Sequence, residues 1–91
     1  AVNLSPNIKK IILGDNNIVK DVYSACNVTA LAFRETSKNN TVFNPILNGK
    51  VNAIQFTVNT SNNTVYTPFY LDKTVISQLG TNNVVKNVTY T

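Results

Sequence analysis

Short apolar stretches alternate along the chain with turns that are rich in asparagine, glycine and lysine. β-Branched and aromatic residues dominate these stretches, which favours strands over helices. No stretch of ten or more residues has the period of an amphipathic helix. The pattern predicts short strands at Ile8–Leu13, Val28–Arg34, Thr41–Leu47, Val51–Val58, Thr64–Tyr70 and Val84–Tyr90. Ile18–Tyr23 is either a strand or one turn of helix, and its Val, Tyr and Ile content favours a strand; Thr74–Ile76 is only a short extended segment. We therefore expect an all-β domain.

Turn signals between these strands predict how they pair. Asn48-Gly49 is the strongest signal, because a type I′ turn needs positive φ at both central residues and Asn-Gly tolerates it. It predicts a tight hairpin between Thr41–Leu47 and Val51–Val58, and Ser37–Asn40 supplies another turn just before it. Pro45 cannot donate a ladder hydrogen bond, which places it at a sheet edge or a bulge. Without an internal repeat, six or seven short strands joined in this way predict a closed or nearly closed antiparallel barrel.

Length and charge narrow the class of protein. A chain of 91 residues and 10.0 kDa fits a single domain over residues 1–91. Eight Lys and Arg against four Asp and Glu give a net charge of +4, which favours a polyanionic partner such as nucleic acid. The single cysteine, Cys26, has no partner for an internal disulfide, which favours a reducing compartment. No apolar stretch is long enough to cross a bilayer, so we expect no membrane partner.

The residues available for chemistry argue against an enzyme. The chain has no histidine, which excludes Ser-His-Asp and Cys-His catalysis and the usual metal ligand sets. The four carboxylates are scattered with no spacing that implies an acid and base pair, and the three glycines are too far apart to form a phosphate-binding loop. Cys26 lacks a candidate base and is best interpreted as a half-buried core thiol. We therefore expect no catalytic residue, cofactor or metal.

Lysines and aromatic rings remain as candidate binding residues. They are interleaved along the chain: Lys9, Lys10, Lys38, Lys50, Lys73 and Lys86 among Phe33, Phe43, Phe56, Tyr66, Phe69 and Tyr70. Cations that follow phosphates and exposed rings that stack on bases are typical of single-strand binding. A small domain needs most of its rings for the core, however, and isolated lysines are ordinary surface residues. Composition and pattern alone leave both interpretations open.

Several segments, in the same order and spacing, resemble a known family. They are Leu4-Ser5-Pro6, Ala30–Phe33, the Ser37–Asn40 turn followed by Val42-Phe43 and Ile46-Leu47, Thr64–Thr67, Lys73–Ile76 and Val84–Tyr90. This collinear set, which covers nearly the whole chain, resembles the coronavirus replicase subunit called non-structural protein nine. The resemblance implies a small, partly open, six- or seven-stranded antiparallel barrel related to oligonucleotide-binding folds. It also implies weak binding of single-stranded RNA without sequence preference.

The resemblance also implies site residues and partners. The basic positions that carry RNA in the family match Lys10, Lys38, Lys50, Lys73 and Lys86, to which the ring of Phe43 is added as a stacking candidate. The implied role is a non-enzymatic accessory subunit of a viral polymerase complex, in replication complexes of the host cytoplasm. This chain begins with Ala1 where the family has an asparagine that accepts nucleotide, and it stops at Thr91, where the family's dimer helix starts. A dimer is therefore expected only of a longer chain that carries that helix.

A different class of protein is indicated by the N-x-S/T sequons. Six are present, at Asn3, Asn27, Asn39, Asn59, Asn62 and Asn87, against about three expected by chance from the Asn, Ser and Thr content. They favour an extracellular or capsid-type β-sandwich interaction module with no nucleic-acid role. A third interpretation is a purely structural interaction domain whose basic charge is incidental.

Overall fold

The computed structural model describes residues 9–24, 26, 28–47, 51–69 and 76–89. All of its regular structure is β, as the sequence predicts, in ten short strands. They are β1 (Lys10–Ile12), β2 (Ile18–Lys20), β3 (Tyr23–Ser24), β4 (Leu31–Phe33), β5 (Thr41–Phe43), β6 (Ile46–Leu47), β7 (Ile54–Phe56), β8 (Thr64–Tyr66), β9 (Ile76–Gln78) and β10 (Val84–Lys86). The described part of the chain measures 33 × 24 × 22 Å.

The strands form three parallel stacks, which we call faces A, B and C. Face A has the order β1-β4-β7-β9, face B has the order β10-β8-β5-β2, and face C pairs β3 with β6. Every strand pair among the described residues is parallel. Consecutive strands therefore belong to different faces, and the chain returns to the same face one coil later. Within the described residues, this arrangement is a β-solenoid of four coils.

The solenoid corrects three predictions from the sequence. The predicted antiparallel pairing is wrong, and neither four-stranded sheet closes into a barrel within the described ranges. The predicted hairpin is also wrong: β6 pairs with β3 and β7 pairs with β4, so the two strands expected to pair lie on different faces. The turn residues 48–50 themselves lie outside the described residues. Finally, an internal repeat is present, since equivalent positions recur at intervals of 23, 23 and 20 residues.

A ladder of asparagine side chains, exposed at its first member and buried at the other three, joins the four coils. We call Asn17, Asn40, Asn63 and Asn83 the Asn ladder. The Oδ1 atom of Asn63 accepts hydrogen bonds from the backbone N–H of Asn40 at 3.0 Å and from its Nδ2 at 2.9 Å. Asn83 accepts the same two bonds from Asn63, at 3.0 and 2.9 Å. The Nδ2 atoms of Asn40 and Asn63 also donate to the carbonyls of Gly14 and Ser37 in the preceding coil, at 2.8 and 3.1 Å. These contacts allow amides to be buried without the penalty of unpaired polar groups.

Each coil bends sharply on both sides of its face B strand. One set of residues with positive φ directly precedes the Asn ladder, namely Asn16, Asn39, Asn62 and Asn82, and a second set follows the face B strands, namely Asp21, Asn44, Thr67 and Asn87. Asparagine and aspartate tolerate this left-handed conformation better than other side chains. Asn44 thus ends β5 and separates it from β6, where one continuous strand is predicted. Pro45 lies in this bend and not at a sheet edge; its carbonyl accepts the N–H of Phe69 at 2.9 Å.

The core runs along the solenoid axis in columns of equivalent residues. Val42 and Val65 are fully buried on face B, and Val19 and Val85 pack against the same cluster at either end. On face A, the rings of Phe33 and Phe56 are fully buried and stack with centroids 4.8 Å apart. The sequence offers both rings as candidate binding residues, and the structure shows that they belong to the core. The shorter fourth coil depends on Gly80, where an added Cβ would lie 2.3 Å from the carbonyl oxygen of Thr60.

The Asn ladder predicts a large loss of stability for Asn63→Ala. The substitution leaves the buried backbone N–H of Asn40 and one of its two Nδ2 hydrogens without an acceptor. It also removes one of the two donors to the carbonyl of Ser37, which keeps the N–H of Ser61. Each orphaned buried group costs about 1–3 kcal/mol, so we expect a loss of about 3 kcal/mol or more in urea unfolding. Asn59→Ala, at an exposed turn position, is the matched control and should change stability by less than about 0.5 kcal/mol. Equal losses in the two variants would contradict the role of the ladder.

The bend positions predict that Thr67→Asn stabilises the protein. Thr67 has φ of 54°, a conformation that a β-branched side chain adopts at a cost, whereas the equivalent position holds Asp21, Asn44 or Asn87 in the other coils. We expect a gain of about 1 kcal/mol, seen as a rise of several degrees in Tm. Thr36→Asn, in an exposed turn, is the control and should leave Tm nearly unchanged. A fall in Tm for Thr67→Asn would show that the bend is not strained.

Candidate functional site

The outward side of face B carries a column of two aromatic rings between two lysines. We call Lys20, Phe43, Tyr66 and Lys86 the lysine–aromatic column. These residues occupy the last position of β2, β5, β8 and β10, and the parallel register sets each directly against the next. Because side chains alternate along a strand, the column points away from the buried valines of the same strands. The register that fills the core therefore also aligns this column.

The two rings and the last lysine of the column are in contact. Phe43 and Tyr66 stack with centroids 5.2 Å apart and planes 9° from parallel. Lys86 Nζ lies 5.5 Å from the centroid of Tyr66, within the range of a cation–π interaction. Because Phe43 and Lys86 come from the coils on either side of Tyr66, they cover the two faces of its ring. Both rings are half-buried and both lysines are exposed.

An open depression lies beside the ring of Phe43. It has a volume of about 280 Å³ and is lined by Lys20, Asp21, Phe43 and Asn44. One face of Phe43 contacts Tyr66, and the other is turned toward the coil that carries Lys20. The depression therefore combines an available ring face and a lysine ammonium group with the carboxylate of Asp21 and the amide of Asn44. A flat ring with an attached anionic group has matching chemistry.

The structure brings together some of the predicted site residues and separates others. Phe43 and Lys86 lie in one column and are connected through Tyr66. Lys10 lies in β1 on face A, and Lys38 lies at the exposed corner before β5, where its N–H donates to Asp15 Oδ1 at 3.2 Å. The predicted site residues Lys50 and Lys73 lie outside the described residues.

Sequence reasoning missed Lys20 as a member of the site. The signal was a motif of five residues that occurs at 16–20, 39–43, 62–66 and 82–86. It consists of two asparagines, a β-branched residue, a valine and a fifth residue whose side chain points outward. Aligned on the asparagine pairs, the fifth position of the motif gives the lysine–aromatic column in order. Recognition of the repeat would have identified Lys20 together with Lys86.

Cys26 has the exposure that the sequence predicts. It is half-buried, and backbone N–H groups of Thr29 and then of Val28, which donate toward its sulfur, lower the pKa of the thiol below its ordinary value. Lys9 adds a smaller effect in the same direction, and desolvation opposes it. No group of three or more His, Cys, Asp or Glu side chains gathers within the described ranges. That part of the chain also contains no helix long and apolar enough to span a membrane.

Comparison with known proteins gives no relative for this chain. No family model matches it, and neither any curated protein nor any solved structure is significantly similar to it.

The hydrogen bonds at Cys26 predict an early onset of thiol alkylation as pH rises. Since donors from Thr29 and Val28 stabilise the thiolate in the folded protein, the folded pKa lies below the unfolded one. We expect the midpoint of the iodoacetamide rate against pH to be lower in buffer than in urea. Because the pKa of Cys26 is lower in the folded protein, its thiolate stabilises the fold above the unfolded pKa. This stabilisation is lost as pH falls through the folded pKa. A midpoint equal to that in urea would contradict the contact.

Proposed function

We propose that this protein is a non-enzymatic binding module that holds single-stranded RNA on face B through the lysine–aromatic column. The observation that carries the proposal is the alignment of two exposed lysines on either side of a stacked ring pair. RNA combines the two groups that such a column suits, a flat base and a phosphate.

Stacking would supply the aromatic part of the interaction. The available face of Phe43 beside the depression is the place for one base, which would extend the stack already formed with Tyr66. Stacking of a base on an aromatic side chain contributes about 1–3 kcal/mol and tolerates any sequence. This fits binding without sequence preference, since the column offers no set of fixed donors and acceptors for reading base edges.

The charges of the two lysines would supply the electrostatic part of the interaction. Strands in a sheet lie about 4.8 Å apart, so Lys20 and Lys86 are separated by three intervals, or about 14 Å, along the solenoid axis. An RNA strand that runs along the axis would meet one lysine on each side of the ring pair. Two phosphate contacts contribute a salt slope of about −1.4, so the expected affinity is weak and depends on ionic strength.

The resemblance to a coronavirus replicase subunit would add a setting, a viral polymerase complex in the host cytoplasm. Only the collinear sequence segments support this setting. The parallel coils differ from the antiparallel barrel that the family implies. The proposal of RNA binding therefore rests on the column and not on the resemblance.

A second candidate is an interaction module outside the cell. The sequon asparagines within the described residues, Asn39, Asn59, Asn62 and Asn87, are all exposed, so the core would not exclude glycans there. The fold, however, explains two of them. Asn39 and Asn62 each directly precede a ladder asparagine that is followed by threonine, which completes the sequon. We therefore place this candidate second.

RNA binding predicts a specific response to paired lysine substitutions. Fluorescence anisotropy of a labelled single-stranded RNA of about 20 nucleotides, measured at several salt concentrations, should show saturable binding that weakens with salt. Lys20→Ala with Lys86→Ala should flatten the salt slope by about 1.4. The matched control is Lys10→Ala with Lys38→Ala, which removes the same charge from positions outside the column and should change the slope less.

Phe43→Leu separates stacking from charge. The variant keeps an apolar side chain but removes the ring face, so affinity should fall about tenfold with an unchanged salt slope. Absence of binding at low salt would overturn the RNA proposal and favour the second candidate. An equal loss in the two double-lysine variants would instead show that net charge, and not the column, attracts the RNA.

A further inference from the structure

The first and last coils of the described residues are complementary in hydrogen bonding. In the Asn ladder, the Oδ1 atoms of Asn40, Asn63 and Asn83 each accept from the coil before them, and their Nδ2 atoms each donate to a carbonyl of that coil. The ladder therefore has a direction. The β9/β10 end presents Asn83, whose backbone N–H occupies the donor position of the pattern, while its Nδ2 donates to the carbonyl and hydroxyl oxygens of Thr60. The β1/β2 end presents Asn17 Oδ1 in the acceptor position.

Asn17 differs from the other members of the ladder in the partner of its amide nitrogen. Its Nδ2 donates to the carbonyl of Leu13 in its own coil at 3.3 Å, in an exposed position. The equivalent atom of Asn40 reaches the preceding coil, at the carbonyl of Gly14, at 2.8 Å. The Asn17 amide thus uses a local substitute for the carbonyl that a preceding coil would provide.

Apolar surface accompanies these polar groups at the β1/β2 end. An open depression of about 250 Å³ lies there, lined by both β1 and β2 and by the residues that follow β1. Ile11, Leu13 and Ile18 are 47%, 52% and 70% exposed. At the other end, Val84 is 39% exposed and Val85 is half-buried. Parallel strands are normally buried on both sides of the ladder, so such edges favour further pairing.

We propose that this protein self-associates head to tail, with the β1/β2 end of one copy stacked on the β9/β10 end of the next. In the register of the other coils, Asn17 Oδ1 accepts from Asn83 of the neighbouring copy, and Asn17 Nδ2 donates to the carbonyl of its Gly80. Ile18 and Val19 then continue the columns of Val84 and Val85. A second copy is the occupant that the directional ladder favours, because it carries the matching half of every one of these contacts.

The same register brings together one unfavourable pair. Lys86 of one copy would lie one strand interval from Lys20 of the next, and like charges directly opposite are destabilising. The association is therefore expected to be weak at low salt and to strengthen as salt screens the pair. Because a head-to-tail contact is heterologous, it produces open chains of copies and not a closed dimer.

Sedimentation velocity over a range of protein concentrations tests the proposal. The full chain should show a sedimentation coefficient that rises with concentration, and more steeply at about 0.5 M than at about 0.05 M salt. Lys86→Glu should tighten association about tenfold, since the new carboxylate faces Lys20 of the next copy. A monomer at every concentration and salt level would overturn the proposal.

Two disruptive variants with matched controls locate the contact. Asn17→Ala should weaken association about tenfold while Asn59→Ala, the same change at an exposed turn, leaves it unchanged. Ile18→Glu should also disrupt it, compared with Val58→Glu at a residue of similar exposure, 67%, in a turn of the third coil. Circular dichroism checks that each variant is folded. Association that persists equally in all four variants would place the contact elsewhere and contradict the head-to-tail arrangement.

Discussion

The asparagine ladder is the interaction on which the rest of this structure depends. A primary amide has two donors and two acceptor lone pairs, and it is costly to bury unless they are paired. Asn40 and Asn63 are fully buried, and each uses its amide to connect the coil before it with the coil after it. Any shift in register would leave several of these groups unpaired at once. The ladder therefore fixes which residues of successive coils lie opposite one another.

This register also determines the chemistry of the surface. Each ladder asparagine begins a short alternating sequence, with a valine two residues later that points inward and a fifth motif residue that points outward. A slip of one residue would exchange the two sets. The stacked valines and the lysine–aromatic column are therefore two consequences of one constraint. The contact between Phe43 and Tyr66 arises because their coils are aligned by Asn40 and Asn63.

The unusual composition of the chain follows from the same architecture. Asparagines at the bends tolerate positive φ, and asparagines in the ladder fill buried polar positions. These two uses explain the adjacent Asn-Asn pairs and much of the asparagine content. They also produce two of the N-x-T sequons, at Asn39 and Asn62, as a by-product. A composition that suggests glycosylation thus has a physical origin in the fold.

The type of secondary structure of this protein follows from its sequence alone. Apolar, β-branched stretches specify an all-β structure. The sequence also supplies Phe43 and Lys86 as candidate site residues, and the structure connects them through Tyr66. Strand direction and face were decided by tertiary structure. A strand of three residues has the same sequence pattern whether it pairs in parallel or antiparallel. The Asn-Gly rule predicts a turn, but it does not say with which strands the flanking segments pair. The partners are set by bonds between residues 20 to 23 positions apart, such as those of Asn63 with Asn40 and Asn83, and these long-range contacts also brought Lys20 into the column.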